Sequence, residues 1–320
     1  MTVLVTGGAG FIGSHLIEHL LAAGGHDRIV CLDNFNDYYD PALKRANVAL
    51  FAGQRRVTVI EGTFVDVAAM AHLFAEHGVR QVVHLGAYAG VRASVASPLL
   101  YEETNVRGTL ALLEAARQHP VERFLLVSSS TVYGQGAVAP FREDAEPGTP
   151  LSPYGATKRA AELLGLMYHQ LHRVPVVCLR PFSVYGPRIR PDLALHVFAT
   201  AILRGESIPL FGDGSVERDF THVSDVCTGL MTALTAEHVV GQAINLGHHA
   251  PVTMRDLLAI LERHLGRTAK IDRRAAFAGD MPVTCADLSK AQRLLGYRAH
   301  VSIDDGLDEF TAWIRQAVAH

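Results

Sequence analysis

The chain leaves its first strand-like run, residues 2–6, through Thr6-Gly7-Gly8-Ala9-Gly10-Phe11-Ile12-Gly13 and enters a helical pattern at once. Glycines in that order let backbone amides close on a pyrophosphate at the positive end of a helix. A glycine triplet alone says little. Here it lies between a strand and a helix, and Asp33 follows Gly13 by 20 residues at the end of the second strand-like run. A carboxylate there can take the ribose hydroxyls of a bound dinucleotide. Asp33 would repel a 2′-phosphate and no Arg follows it directly, so NAD is expected over NADP.

The same rhythm continues. Aliphatic or β-branched runs at 2–6, 28–33, 57–61, 80–85, 122–129 and 175–180 alternate with helical patterns at 11–24, 41–51, 66–77, 96–118 and 153–173. Such βαβ units predict an α/β fold, a doubly wound parallel sheet covered on both faces. After Arg180 the elements shorten, broken by Pro181, Pro187, Pro191, Pro209, Gly212, Gly214, Pro251 and Pro282, ahead of an amphipathic helix at 302–318. The expected division is a dinucleotide-binding domain over 1–181, with part of 219–248 returning to it, and a smaller α/β substrate domain mainly over 182–320.

Composition narrows the partner. With 49% apolar residues the chain can bury a large core, and 29 Lys+Arg against 32 Asp+Glu leave a formal charge of -3. Neither nucleic acid nor membrane is expected as a partner, since the charge is balanced and no apolar run approaches the ~20 residues of a span. Cys31, Cys178, Cys227 and Cys285 lack close pairing, and Met1 leads straight into a strand, both fitting a reducing, cytoplasmic setting. His15-Leu16-Ile17-Glu18-His19 matches the H-x-x-E-H metal pattern, but its helix is committed to the phosphate turn, so no metal is expected. His248-His249 reads as a loop.

Tyr154-Gly155-Ala156-Thr157-Lys158 places a phenol and an ammonium on one helical face. A tyrosine of pKa ~10 is a poor base at neutral pH, but a neighbouring Lys⁺ and an oxidised nicotinamide both favour phenolate. Upstream, Ser128-Ser129-Ser130-Thr131-Val132-Tyr133-Gly134 ends the run 122–129 and brings hydroxyls to the carboxyl edge of the sheet, where such folds bind ligands.

With these residues in view, the chain resembles an extended short-chain dehydrogenase/reductase, specifically a nucleotide-sugar epimerase, over essentially its whole length. Further matching stretches are His84-Leu85-Gly86-Ala87-Tyr88-Ala89-Gly90-Val91-Arg92, Asn105 with Gly108, Arg180-Pro181-Phe182-Ser183-Val184-Tyr185-Gly186-Pro187, Gly212-Asp213-Gly214 with Arg218-Asp219-Phe220, and Gly279-Asp280. The resemblance implies a Rossmann-type sheet and a hydride lent to NAD and returned to the opposite face of a 4-keto sugar. Ser129, Tyr154 and Lys158 would be catalytic. NAD would be held by Gly7, Gly10, Phe11, Ile12, Gly13, Asp33, Asn34, Thr63, Phe64, Leu85, Ala87 and Asn105, with Tyr154 and Lys158. The UDP-sugar would meet Val91, Arg92, Ser129, Ser130, Thr131, Ser183 and Arg190, its diphosphate Arg218 and its ribose Asp280. The family commonly forms homodimers through two helices, here those at 96–118 and 153–173. Leu110, Leu112, Leu113, Leu163, Leu164, Met167 and Leu171 would serve either that interface or the core.

Asp33-Asn34-Phe35-Asn36-Asp37-Tyr38-Tyr39, Ala89-Gly90-Val91-Arg92 and Pro187-Arg188-Ile189-Arg190-Pro191-Asp192 resemble the UDP-glucuronate 4-epimerases in particular. A uronate needs a cation, and Arg190 is the candidate, with Ser183 where the family has Thr. The competing readings are a UDP-glucose/UDP-galactose 4-epimerase, a UDP-glucuronate decarboxylase and a non-catalytic NAD-binding sensor. A dehydratase of the family would carry an Asp-Glu pair where this chain has Ser130-Thr131. Other departures are Gly62-Thr63-Phe64 for the family's Gly-Asp-Ile, whose Asp lies at the adenine amine, Gly86 for Ala, and His222 for an aromatic residue.

Overall fold

A computed structural model describes residues 1–275 and 281–319. β1 (Thr2–Thr6), α1 (Phe11–Ala23), β2 (Arg28–Asp33), α2 (Pro41–Ala49), β3 (Val57–Glu61), α3 (Val67–His77) and β4 (Val79–His84) alternate from the start of the chain. Short helices α4 (Val91–Ala96) and α5 (Pro98–Glu102) precede α6 (Gly108–Gln118), β5 (Arg123–Val127), α7 (Pro153–His172) and β6 (Val176–Pro181). Then come β7 (Ser183–Tyr185), α8 (Ala194–Arg204), β8 (Ser207–Phe211), β9 (Glu217–His222), α9 (Val223–Thr235) and β10 (Ala243–Leu246). The last elements are β11 (Pro251–Thr253), α10 (Met254–Leu265), β12 (Lys270–Arg274), α11 (Ser289–Leu295) and α12 (Ile303–Ala319).

Among the described residues, seven strands form one all-parallel sheet in the order β10-β6-β5-β4-β1-β2-β3. The order reverses between β1 and β4, and the carboxyl ends of those strands open a crevice there. Alternate strand residues feed two apolar layers. Val3, Val5, Leu125 and Leu179 pack on the α1 and α9 side, whereas Leu4, Val82, Leu126 and Cys178 pack toward α3, α6 and α7. Helices on both faces leave β6 without an exposed residue. A three-stranded sheet, β11-β9-β7, and a pair, β12-β8, are built from the later chain, while β10 runs beside β6.

Local chemistry sets the element ends. Asp66 caps α3 through the Ala69 amide and Gly78 ends it in a left-handed conformation. Ser152 caps α7 through the Gly155 amide, with Pro153 in its first turn. The helix expected over 96–118 is instead broken: Pro98 has no amide to donate, Ser97 leaves the helical region at φ -137°, and Glu103–Arg107 forms a wide π turn that buries Thr104 and Asn105. Of the leucines expected on the paired helices, Leu112 and Leu113 are core, whereas Leu163 and Leu171 are exposed at 62% and 65%. No helix among the described residues is long and apolar enough to cross a membrane.

Candidate active site

The phosphate turn is built for close approach. A β-carbon on Gly13 would lie 2.2 Å from the Gly7 carbonyl oxygen, so α1 packs directly on the turn. Gly10 begins α1 without a side-chain cap, leaving the first amides to a ligand. Asp33, buried at the end of β2, accepts the Ala9 amide at 3.2 Å and the Phe35 amide at 3.0 Å. Lys44 of α2 stands 3.8 Å from the same carboxylate and donates to Asn36 Oδ1 at 2.9 Å. The sequence reading missed Lys44; its only signal is a lysine on the helix that follows the Asp-bearing strand.

From this turn a cavity of about 780 Å³ runs to the ends of β5 and β6. It is lined by Gly7, Gly10, Phe11, Ile12, Gly13, Asp33, Asn34, Phe64, Leu85 and Ala87, and farther along by Val91, Arg92, Ser129, Ser130, Thr131, Tyr154, Lys158, Ser183, Arg190 and Arg218. A side lobe of about 210 Å³ shares Val91, Arg92, Ser130, Thr131, Ser183 and Arg218. Two expected cofactor residues are not among those lining it. Exposed Thr63 spends its hydroxyl on the Val65 amide at 3.3 Å. Asn105 holds both backbone groups of Tyr88, at 2.8 and 2.9 Å, and the Thr157 hydroxyl at 3.1 Å, tying the loop after β4 to α7. Asp280 lies outside the described residues.

Tyr154 and Lys158 project from the first turns of α7. Buried Lys158 donates to the Val127 carbonyl at 2.8 Å. Burial pulls its pKa down to about 8, opposed by the Glu162 carboxylate one turn on. Glu162 is itself clamped by Arg180 of β6 through bonds of 2.9 and 2.8 Å. Burial raises the Tyr154 pKa, with the Ser129 hydroxyl and the Arg190 charge opposing it. Desolvation is the larger influence on the phenol, and the expectation of a phenolate rests on an oxidised nicotinamide as well as on the lysine. Thr131 donates to Ser129 Oγ at 3.0 Å and orients it. Arg218 donates to the Glu217 and Met281 carbonyls at 2.7 and 2.8 Å, and the Arg92 guanidinium lies 4.0 Å over the Phe211 ring. Arg190 is paired with Asp192.

A glycine turn, the Asp33 carboxylate and the side chains of Ser129, Tyr154 and Lys158 share one cavity, and the chain is similar to known proteins over nearly its whole length. Residues 3–247 match the model of the NAD dependent epimerase/dehydratase family. The chain belongs to this family. Its relatives include UDP-glucuronate 4-epimerase 4 of Arabidopsis thaliana, 40% identical across 98% of this chain and 75% of that protein. UDP-glucuronate 4-epimerase of Thermodesulfobacterium geofontis is 37% identical across 98% and 96%. Among solved structures, UDP-glucuronic acid 4-epimerase from Bacillus cereus in complex with UDP-glucuronic acid and NAD superposes with a TM-score of 0.93, at 37% identity, over 99% of this chain and 100% of that one.

Two departures from the family pattern explain each other. The Phe64 ring fills the space in which Gly86 lacks a side chain: a β-carbon there would lie 2.5 Å from it. The ring packs edge-on to His84, 5.0 Å away, and His84 bridges the Thr6 and Thr109 hydroxyls at 2.7 and 3.0 Å. Burial and the Lys158 charge pull the His84 pKa down to about 3, so it stays neutral beside the ammonium. The H-x-x-E-H residues face different partners: His15 takes the Pro187 carbonyl, His19 the His15 carbonyl, and Glu18 pairs with Arg188.

Proposed function

We propose that this protein is an NAD-dependent UDP-glucuronate 4-epimerase that interconverts UDP-glucuronate and UDP-galacturonate. The observation that carries this reading is Arg190, a cation facing the same cavity as Tyr154, Lys158 and the Ser129-to-Thr131 hydroxyls. A sugar acid offers that arginine a carboxylate; a neutral hexose does not. The glycine cradle, Asp33 and the cavity volume fit NAD, which Gly7, Gly10, Phe11, Ile12, Gly13, Asp33 and Asn34 would hold. When bound, NAD supplies a hydride acceptor and a positive ring that favours the Tyr154 phenolate.

Tyr154 Oη takes the proton of the sugar 4-hydroxyl, with Ser129 Oγ hydrogen-bonded to the same oxygen as it becomes a ketone. Lys158, bonded to the Val127 carbonyl, brings an ammonium to the same cavity. Once the keto sugar has turned over, Tyr154 returns the proton on the other face. Turning requires a loose grip on the sugar and a firm one on the diphosphate and uridine, the role assigned to Arg218, Arg92 and the later chain. Arg190 and Ser183 hold the C6 carboxylate. Ser130 and Thr131 stand where a dehydratase would need an acid pair, and neither can protonate a leaving hydroxyl as a carboxylic acid does. We also assign a homodimer, with the exposed leucines of α5 and α7 at its interface.

The test is an NMR time course of the purified protein with UDP-glucuronate, UDP-glucose and UDP-N-acetylglucosamine, first without added NAD. UDP-galacturonate alone is the expected product. UDP-galactose from UDP-glucose would overturn the carboxylate assignment, and a UDP-pentose as main product would make the protein a decarboxylase. Inactivity even with NAD would leave an NAD-binding sensor.

A further inference from the structure

The Arg190 guanidinium reaches the cavity already engaged along one edge. Its Nε and one Nη donate to the two carboxylate oxygens of Asp192, at 2.9 and 2.8 Å. Tyr38, from the loop after β2, donates its hydroxyl to the same carboxylate at 3.1 Å, and its ring lies 5.6 Å from the guanidinium carbon. Gly90 makes that placement possible: at φ +107° it has no β-carbon, which would stand 2.4 Å from the Tyr38 hydroxyl. Tyr38, Arg190 and Asp192 all line the cavity that contains Tyr154. An arginine offers five N–H groups in a planar fork, so fixing the Nε edge also fixes the direction of the terminal edge.

We propose that Asp192 and Tyr38 are positioning residues for substrate specificity: they lock one edge of Arg190 so that the other meets the C6 carboxylate of the sugar. The inference rests on the epimerase reading above and deepens it. Oxidation at C4 makes the sugar a β-keto acid. Decarboxylation would break the C5–C6 bond, release CO₂, and send the bonding pair into a C4–C5 enolate that then takes a proton at C5. That path needs the C5–C6 bond aligned with the ketone π system. An arginine fixed along its Nε edge keeps the carboxylate near the ketone plane, whereas one on a free side chain lets it swing.

The test compares Asp192→Asn and Tyr38→Phe with wild type. Calorimetry gives the affinities for UDP-glucuronate, UDP-glucose and UDP, and NMR gives the ratio of UDP-pentose to UDP-galacturonate formed. Asp192→Asn should weaken UDP-glucuronate about tenfold while leaving UDP-glucose and UDP within about twofold, and should raise the pentose fraction. Tyr38→Phe should move both readouts in the same direction by less. Unchanged UDP-glucuronate affinity and product ratio overturn the proposal. So does tighter UDP-glucuronate binding, since Asp192 would then be a competitor for Arg190. A variant that no longer binds UDP has lost its fold, and Tyr38→Phe then decides. If wild type binds UDP-glucuronate no better than UDP-glucose, the function reading fails and takes this inference with it. If wild type discriminates and both variants discriminate equally, this inference alone fails.

Discussion

At position 86 an alanine would bring its methyl group to 2.5 Å from the Phe64 ring, and a β-carbon added at Gly108 would come equally close to the other edge of that ring. Gly86→Ala alone should therefore cost about 1–3 kcal/mol through overpacking. Phe64→Ile alone should cost a similar amount through a cavity. Together they should cost clearly less than their sum, with a coupling of about 1 kcal/mol or more in urea denaturation; simple additivity would show that the two departures are unrelated. The same scale explains what spacing could reveal. Tyr154 and Lys158 were readable because four residues on a helix force one face, and Asp33 because strand and turn lengths fix its place. Thr63 and Asn105 were assigned to the cofactor by position in a pattern, but the direction of each side chain is set by local partners, the Val65 amide and the Tyr88 backbone. Lys44 and Asp192 reach the site through contacts that no sequence interval announces.

Between elements, the important contact joins α1 to the loop that presents Arg190. Arg188 adopts a left-handed φ of +63°, donates to His15 Nδ1 at 2.8 Å and pairs with Glu18. Burial, reinforced by the Arg188 charge, pulls the His15 pKa down to about 3, so a neutral ring can accept from Arg188 while its Nε2 faces the Pro187 carbonyl at 2.9 Å. The helix whose start carries the glycine turn is thus fastened, one turn on, to the loop that carries Arg190. Arg188→Met should lower stability by about 2 kcal/mol and weaken UDP-glucuronate more than UDP. Thermal melting and calorimetry would check this, and an unchanged melting temperature would mean that the loop holds itself. The residues that imitate a metal motif are therefore explained by an arginine 170 positions from Glu18, beyond the reach of any local pattern.

For the whole molecule, Leu99 of α5 is 81% exposed, and Leu163 and Leu171 of α7 lie open on the surface. Sedimentation velocity should show a dimer, and Leu163→Glu with Leu171→Glu should yield a monomer of unchanged fold; a wild-type monomer would remove the interface assignment. Strand rhythm announced a doubly wound sheet, but the strand order depends on which crossover goes left or right, and that is decided by packing across both faces. One consequence concerns biosynthesis. The outer ladder of β6 is closed by residues 243–246, which leave the ribosome more than 60 residues after Pro181. During that interval the emerging polypeptide carries an edge whose run Val176–Leu179 is apolar and whose amides are unpaired, the kind of surface on which strands of separate chains aggregate. Chaperone demand should peak there, before any ligand can help.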